Sequence, residues 1–150
     1  MGYKFSARSL KNLAGVDPNL VEVIKLAIQY STVDFAVTEG LRTVQRQREL
    51  VAKGASQTMK SKHIEGKAVD VVAYIGDRIS WEANLYDDIA DAVKAAAQEL
   101  NVSIKWGAAW TVNDIADWDG TMQEASDSYV ATRRQQGKRP FLDYPHFELS

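Results

Sequence analysis

The feature that most constrains this chain is a carboxylate set into an apolar run. Ala68-Val69-Asp70-Val71-Val72-Ala73-Tyr74 is rich in β-branched residues and predicts a strand over 68–74, with Asp70 inside it. An ionised carboxylate is costly to bury unless it is paired or bound to a metal, so the fold must bring Asp70 a partner. The nearest candidate is His63, in Ser61-Lys62-His63-Ile64-Glu65-Gly66. The other histidine of the chain, His146, stands near the opposite end in Asp143-Tyr144-Pro145-His146-Phe147-Glu148. Two histidines and an aspartate beside strand-like sequence would give three protein ligands and leave a fourth position open for water, the arrangement of a catalytic zinc. The plainer readings are a salt bridge from Asp70 to Arg42 or a lysine, an ordinary loop histidine at 63, and a histidine packed beside Phe147 at 146.

At 150 residues, 45% apolar and 25% charged, the chain fits a single domain over 1–150 with a core of its own. The 18 basic and 20 acidic residues leave a net charge of −2, which gives no footprint for a polyanion, so nucleic acid is not expected as a partner. With no cysteine, any metal must be held by nitrogen and oxygen. No run approaches the roughly 18 apolar residues of a membrane span, and Met1-Gly2-Tyr3-Lys4-Phe5-Ser6 lacks an apolar leader, so synthesis as a soluble cytoplasmic protein is expected.

A short helical piece is predicted over 6–13, followed by a helix that Asp17 caps and Pro18 opens, with Leu20, Val23, Ile24, Ala27 and Ile28 on its apolar face. Val33 to Thr38 predicts the first strand. Thr43 caps a helix from Val44 to about Lys53, ended by Gly54, which leaves Arg42 at a strand-to-helix junction. Residues 54–63 read as a polar surface loop, and Gly66 as the turn before strand 68–74. Ser80 is expected to cap a long helix carrying Trp81, Leu85, Ile89, Val93, Ala96 and Leu100 on the face that packs on the sheet. Val102 to Trp106 predicts a third strand, and His146 to Leu149 a final one. Between them, 108–142 loses periodicity: Trp110, Trp118 and Tyr129 are scattered among acids and a basic run from Arg133 to Arg139. So long an irregular segment is expected to be functional, with the tryptophans either as a wall or lid or as core and loop anchors, and the basic run as a solvated face or a means of attraction to an anionic cell surface. The expected class is α+β, a small, mainly antiparallel sheet flanked by helices with the metal on the open sheet face.

Ser61-x-His63-x-x-Gly66-x-Ala68-x-Asp70, with Asp143-x-Pro145-His146-Phe147-Glu148, resembles the M15 family of zinc peptidases, the D-alanyl-D-alanine carboxypeptidase and dipeptidase group. Gly40-Leu41-Arg42-Thr43 with Gln47 is similar to that family's upstream motif, so the resemblance covers about residues 38–149. Within it the chain looks most like the bacteriophage endolysins of the L-alanyl-D-glutamate endopeptidase branch. The resemblance implies one zinc held by His63, Asp70 and His146, with Asp143 as general base and Arg42 stabilising the tetrahedral intermediate. It also implies a peptidoglycan stem peptide as substrate, met by Ser61, Gln47 and Trp106. Synthesis in the host cytoplasm, action on the cell wall after release and a monomeric state complete the expectation. Where the family often has Trp-Gly-Gly-Asp-Trp, this chain has Trp106-Gly107-Ala108-Ala109-Trp110 and then a long insert, so the substrate pocket is where it should differ.

Read from the residues alone, more than one carboxylate could move the proton. Asp143 lies across the Tyr144-Pro145 turn from His146, Glu148 shares a strand face with His146, and Glu65 is close to His63 in sequence. Arg42 reads either as a helix-end charge or as a fixed guanidinium for an oxyanion or substrate carboxylate. Three other activities fit parts of the pattern. A D-alanyl-D-alanine carboxypeptidase would use the same zinc chemistry, an iron oxygenase the same two-histidine, one-carboxylate triad, and a non-catalytic wall-binding module a structural zinc.

Overall fold

The computed structural model describes residues 2–56 and 58–150; Met1 and Gln57, the latter inside the expected loop, lie outside it. The helices are α1 (Ala7–Asn12), α2 (Pro18–Tyr30), α3 (Val44–Ala52), α4 (Ala83–Leu100) and α5 (Met122–Gln135). The strands are β1 (Asp34–Glu39), β2 (Ala68–Ile75), β3 (Arg78–Ser80), β4 (Ile104–Trp106) and β5 (His146–Leu149). They form one antiparallel sheet in the order β1-β2-β5-β4, with β3 hairpinned onto β2. The class is α+β, as expected.

Local sequence explains most of the boundaries. Asp17 accepts the Asn19 amide at the start of α2 with Pro18 in the first turn, and Thr43 accepts the Arg46 amide at the start of α3. Gly66, at φ +71°, makes the left-handed turn that leads into β2. Period-two alternation then divides the sheet. Phe35 and Val37 of β1, Val69, Val71 and Ala73 of β2, Ile104 and Trp106 of β4, and Phe147 of β5 point into one core, which α2 and α4 close from the same side. Asp70, His146 and Glu148 fall in the alternate positions, on the opposite face.

Three expectations are corrected. Ser80 does not cap the long helix: it ends β3, and α4 begins at Ala83 behind Glu82 with no side-chain cap. The overlooked signal is Ile75-Gly76-Asp77-Arg78, a two-residue hairpin loop with Gly76 at φ +64°. The buried residues of α4 are Tyr86, Ile89, Ala90, Ala92, Val93, Ala96 and Ala97; Leu85 of the expected stripe is partly buried against the core and Leu100 is exposed, while Trp81 lies before the helix, 66% exposed and stacked on Tyr86. The segment 108–142 is not irregular throughout. Thr121 and Glu124 form a reciprocal capping box that starts α5, and Met122, Ala125, Ser126 and Tyr129 bury one helical stripe, with α5 packed beside α4. Finally, Trp106 offers no surface to a substrate. It is fully buried, stacked on Phe147 with its indole N–H donated to the Tyr144 carbonyl at 2.8 Å.

Trp106 is thus a core residue, and truncation at a packed aromatic costs about 3–5 kcal/mol. Trp106→Ala should lower the denaturant midpoint of unfolding accordingly, and a melt within error of the parent would contradict this placement.

Candidate metal centre and cleft

The sheet register assembles the cluster. Asp70 of β2 stands directly opposite His146 of β5, and Glu39, beyond a bulge in β1, stands opposite Asp70 on its other side. His63 comes from the turn before β2, which is tied to the 40–43 segment by the Arg42 amide donating to the His63 carbonyl at 2.9 Å. His63 Nε2 lies 3.2 Å from one Asp70 oxygen and His146 Nδ1 lies 3.2 Å from the other. One donor atom from each of the three residues can be chosen so that all lie within 4.8 Å of one another.

Those separations suit a cation. Ligand atoms about 2.0–2.1 Å from a tetrahedral ion are roughly 3.3 Å apart; each imidazole stands at 3.2 Å from its own Asp70 oxygen, and one donor atom per residue falls within a 4.8 Å span that a bound ion would draw together. The second nitrogen of each imidazole is already engaged: His63 Nδ1 meets the Gly40 carbonyl at 2.9 Å, and His146 Nε2 meets Glu148 at 2.8 Å. Such contacts fix ring orientation and aim the free nitrogen inward, as partners behind metal ligands do. Both histidines are buried. Burial works to raise the Asp70 pKa, but hydrogen bonds from His146 and His63 outweigh it and hold the carboxyl below its ordinary range. For His146 burial works downward, and the bonds to Asp70 and Glu148 prevail, pushing it up to about 9.

Around the cluster is a cleft of about 860 Å³, whose walls include Arg42, Ser61, Lys62, Trp110, Phe141 and Asp143. Asp143 enters from the turn before β5. Its amide donates to the Gly107 carbonyl at 2.8 Å, and Gly107 donates to the His146 carbonyl at 2.8 Å. A Cβ on Gly107 would collide with the Asp143 backbone, so this close approach requires glycine. Burial, followed by the nearby Asp70 charge, raises the Asp143 pKa, moving it toward the range where a carboxylate can accept a proton.

Arg42 is a fixed wall residue rather than a loose surface charge. Its guanidinium grips Glu39 through Nε at 2.6 Å and Nη2 at 2.7 Å, donates to Gln47 at 2.7 Å, and stands 3.9 Å from Asp70. The bond to Glu39 is the main reason its pKa is raised. The salt bridge between Asp70 and Arg42 therefore exists as a long contact beside the two histidine contacts. Ser61 lines the cleft, receives the His63 amide at 3.2 Å and lies 3.5 Å from Arg42. Gln47, expected to meet substrate, is fully buried: it holds Arg42, Ser56 and the Thr58 carbonyl, and so braces the cleft wall from behind. Of the insert's tryptophans, Trp110 packs on the His146 ring at 5.7 Å and against Phe141, whereas Trp118 joins the core. Glu39, Lys62 and Phe141 are cleft residues the sequence reading passed over. Only Glu39 carried a signal, standing three residues before Arg42 at a strand end.

A profile of the phage L-alanyl-D-glutamate peptidase family matches residues 1–150. The chain belongs to that family. The L-alanyl-D-glutamate peptidase of Escherichia phage T5 is 35% identical over 117 residues, which span 75% of this chain and 85% of that one. The peptidase of the same name from Listeria phage A118 is 29% identical over 71% of this chain but only 38% of its own length. Among solved structures, a Serratia marcescens L-Ala D-Glu endopeptidase superposes with a TM-score of 0.74 at 41% identity, covering 99% of this chain and 91% of the other. Membership in a peptidase family sets aside the oxygenase and the non-catalytic module.

One divalent cation should bind per chain, and His63→Ala, Asp70→Ala and His146→Ala should each abolish binding. Glu148→Gln, which disturbs only the orienting contact, should weaken it by about 10–100-fold. Metal analysis after dialysis at graded free metal would show this, and an unchanged affinity in Glu148→Gln would remove that residue from the metal's surroundings.

Proposed function

We propose that this protein is a zinc-dependent peptidoglycan endopeptidase that hydrolyses the amide between L-alanine and D-glutamate in stem peptides. The observation that carries the reading is the His63, Asp70 and His146 cluster, oriented from behind by Gly40 and Glu148, in the cleft of a chain from this family. A donor set of two imidazoles and a carboxylate without thiolate suits zinc in an open catalytic site. The same reading has the enzyme made in the host cytoplasm and acting on the wall once released, in keeping with the phage family.

When bound, zinc would polarise the scissile carbonyl and lower the pKa of a water to about 7. Asp143, the cleft carboxylate with a raised pKa, takes the proton of the attacking water and returns it to the departing glutamate amine. Glu148 is engaged with His146 Nε2, which leaves it poorly placed to compete. Arg42, held rigid by Glu39 and Gln47, keeps a positive charge facing the negative charge that develops on the carbonyl oxygen. Ser61 lines the same wall within reach of substrate.

A carboxypeptidase must close its pocket just past the scissile bond, whereas an endopeptidase needs room on both sides. Here the cleft adjoins a further depression of about 320 Å³ that shares Lys62 and Glu148 with it, which supports the endopeptidase over the D-alanyl-D-alanine carboxypeptidase.

Asp143→Asn should retain metal and fold yet lose turnover by about a hundredfold or more, as loss of a general base typically does. A larger loss in Glu148→Gln at full metal occupancy would transfer the role. The bond itself is read by dinitrophenyl labelling of digested peptidoglycan. New N-terminal glutamate is expected, and free D-alanine without it would establish the carboxypeptidase.

A further inference from the structure

The depression beside the cleft has a charge character and a direction. Lys62 and Lys105 both line it, together with Glu148. The sheet register locates it relative to the cluster. Along β5, His146 faces Asp70, while Glu148, two residues further, faces Lys105 of β4. Residues two apart on a strand are separated by roughly 6.5–7 Å, so the lysine end begins about one side-chain length from the metal ligands. The main cleft, on the side of His146 away from Glu148, is walled by aromatic residues instead. Trp110 packs on the His146 ring and Phe141 stacks on Trp110, both near the point where Gly107 bonds the His146 carbonyl.

Lys62 is rooted firmly. It sits between Ser61 and the ligand His63, and its carbonyl accepts the Lys67 amide at 2.9 Å, so the start of its side chain is fixed relative to the metal site. Among the described residues, no carboxylate lies within 4.0 Å of the Lys62 or the Lys105 ammonium. Glu148, the acid nearest to them in the register, is bonded to His146.

The substrate supplies a matching group. A glutamate whose amine is acylated by alanine has two carboxyls, of which the stem continues through one; the other remains as a carboxylate or an amide, within a few bonds of the scissile nitrogen. Resting on the peptidase reading above, we propose that Lys62, supported by Lys105, forms an anion subsite that reads this remaining carboxylate. The glutamate side of the substrate then lies toward Lys62, and the alanine side toward Trp110 and Phe141. Lys62 is on this account a specificity-determining residue that distinguishes stems with a free glutamate carboxylate from stems in which it is amidated.

The test compares two synthetic stem peptides that differ only in this carboxylate or its primary amide. The zinc-loaded full chain cleaves each, and the released N-terminal residue is quantified. The parent should favour the carboxylate by about tenfold in kcat/KM, expressed in KM, the size of one charge-assisted hydrogen bond. Lys62→Ala should bring the ratio of the two substrates close to one, Lys62→Glu should invert it, and Lys62→Arg should preserve it. Because the ratio is internal to each variant, a partial loss of metal or fold cancels. A parent ratio near one, or a ratio in Lys62→Ala equal to the parent's, overturns the subsite while leaving the peptidase intact. If the zinc-loaded parent cuts neither peptide between alanine and glutamate, the peptidase reading falls and the subsite falls with it.

Discussion

The site depends on one cross-strand pair, Asp70 opposite His146. Side chains alternate across a sheet, so a slip of one residue between β2 and β5 would turn Asp70 into the core and Val69 or Val71 outward. The apolar partners on the core face, Val69 opposite Phe147 above all, forbid that slip. The hydrophobic core thus sets the register, and the register presents the carboxylate and the imidazole to the same point. The cost of a half-buried carboxylate is offset by two imidazoles, and would be offset further by a cation.

Behind that pair is a layer of orienting contacts drawn from distant parts of the chain. The Gly40 carbonyl fixes His63, Glu148 fixes His146, and Glu39 with Gln47 fixes Arg42. Gln47 also bonds the Thr58 carbonyl, so a single buried amide links α3, the 55–62 loop and the arginine of the cleft wall. Rigid support of this kind matters because catalytic groups must stay near one geometry, and loops alone do not hold it.

Much of this was legible in the sequence because it follows from short-range rules. The caps at Asp17 and Thr43, the turn at Gly66, the period-two strand around Asp70 and the terminal strand at His146 each needed only a few neighbouring residues. What escaped was hidden by small or polar residues. The stripe of α5 is Met122, Ala125, Ser126 and Tyr129, too weakly apolar to stand out, although its Thr121 and Glu124 box was visible. β3 is three residues long and mostly exposed, so only its Gly76-Asp77 turn could have revealed it. Trp106 and Gln47, which the resemblance assigns to the substrate, are fully buried and belong to the scaffold. Burial is a tertiary property, and neither side chain carries a local mark of it.

The segment between β4 and β5 gains a physical role from the same contacts. Tyr129, on the buried stripe of α5, exchanges two hydrogen bonds with the backbone of Phe141: the Phe141 amide donates to the phenol oxygen at 3.0 Å, and the hydroxyl donates back to the Phe141 carbonyl at 3.2 Å. Two residues later Asp143 is held by Gly107. The chain from 141 to 143 is therefore clamped at both ends, by a helix packed on α4 and by the glycine that follows β4. Clamping sets where Phe141 stands over the cleft and fixes the backbone that carries Asp143 into the cleft wall. A loop of this length without α5 would lose conformational entropy on ordering with little burial to offset it. The helix supplies that burial, and so allows a long insertion to carry residues that must not move.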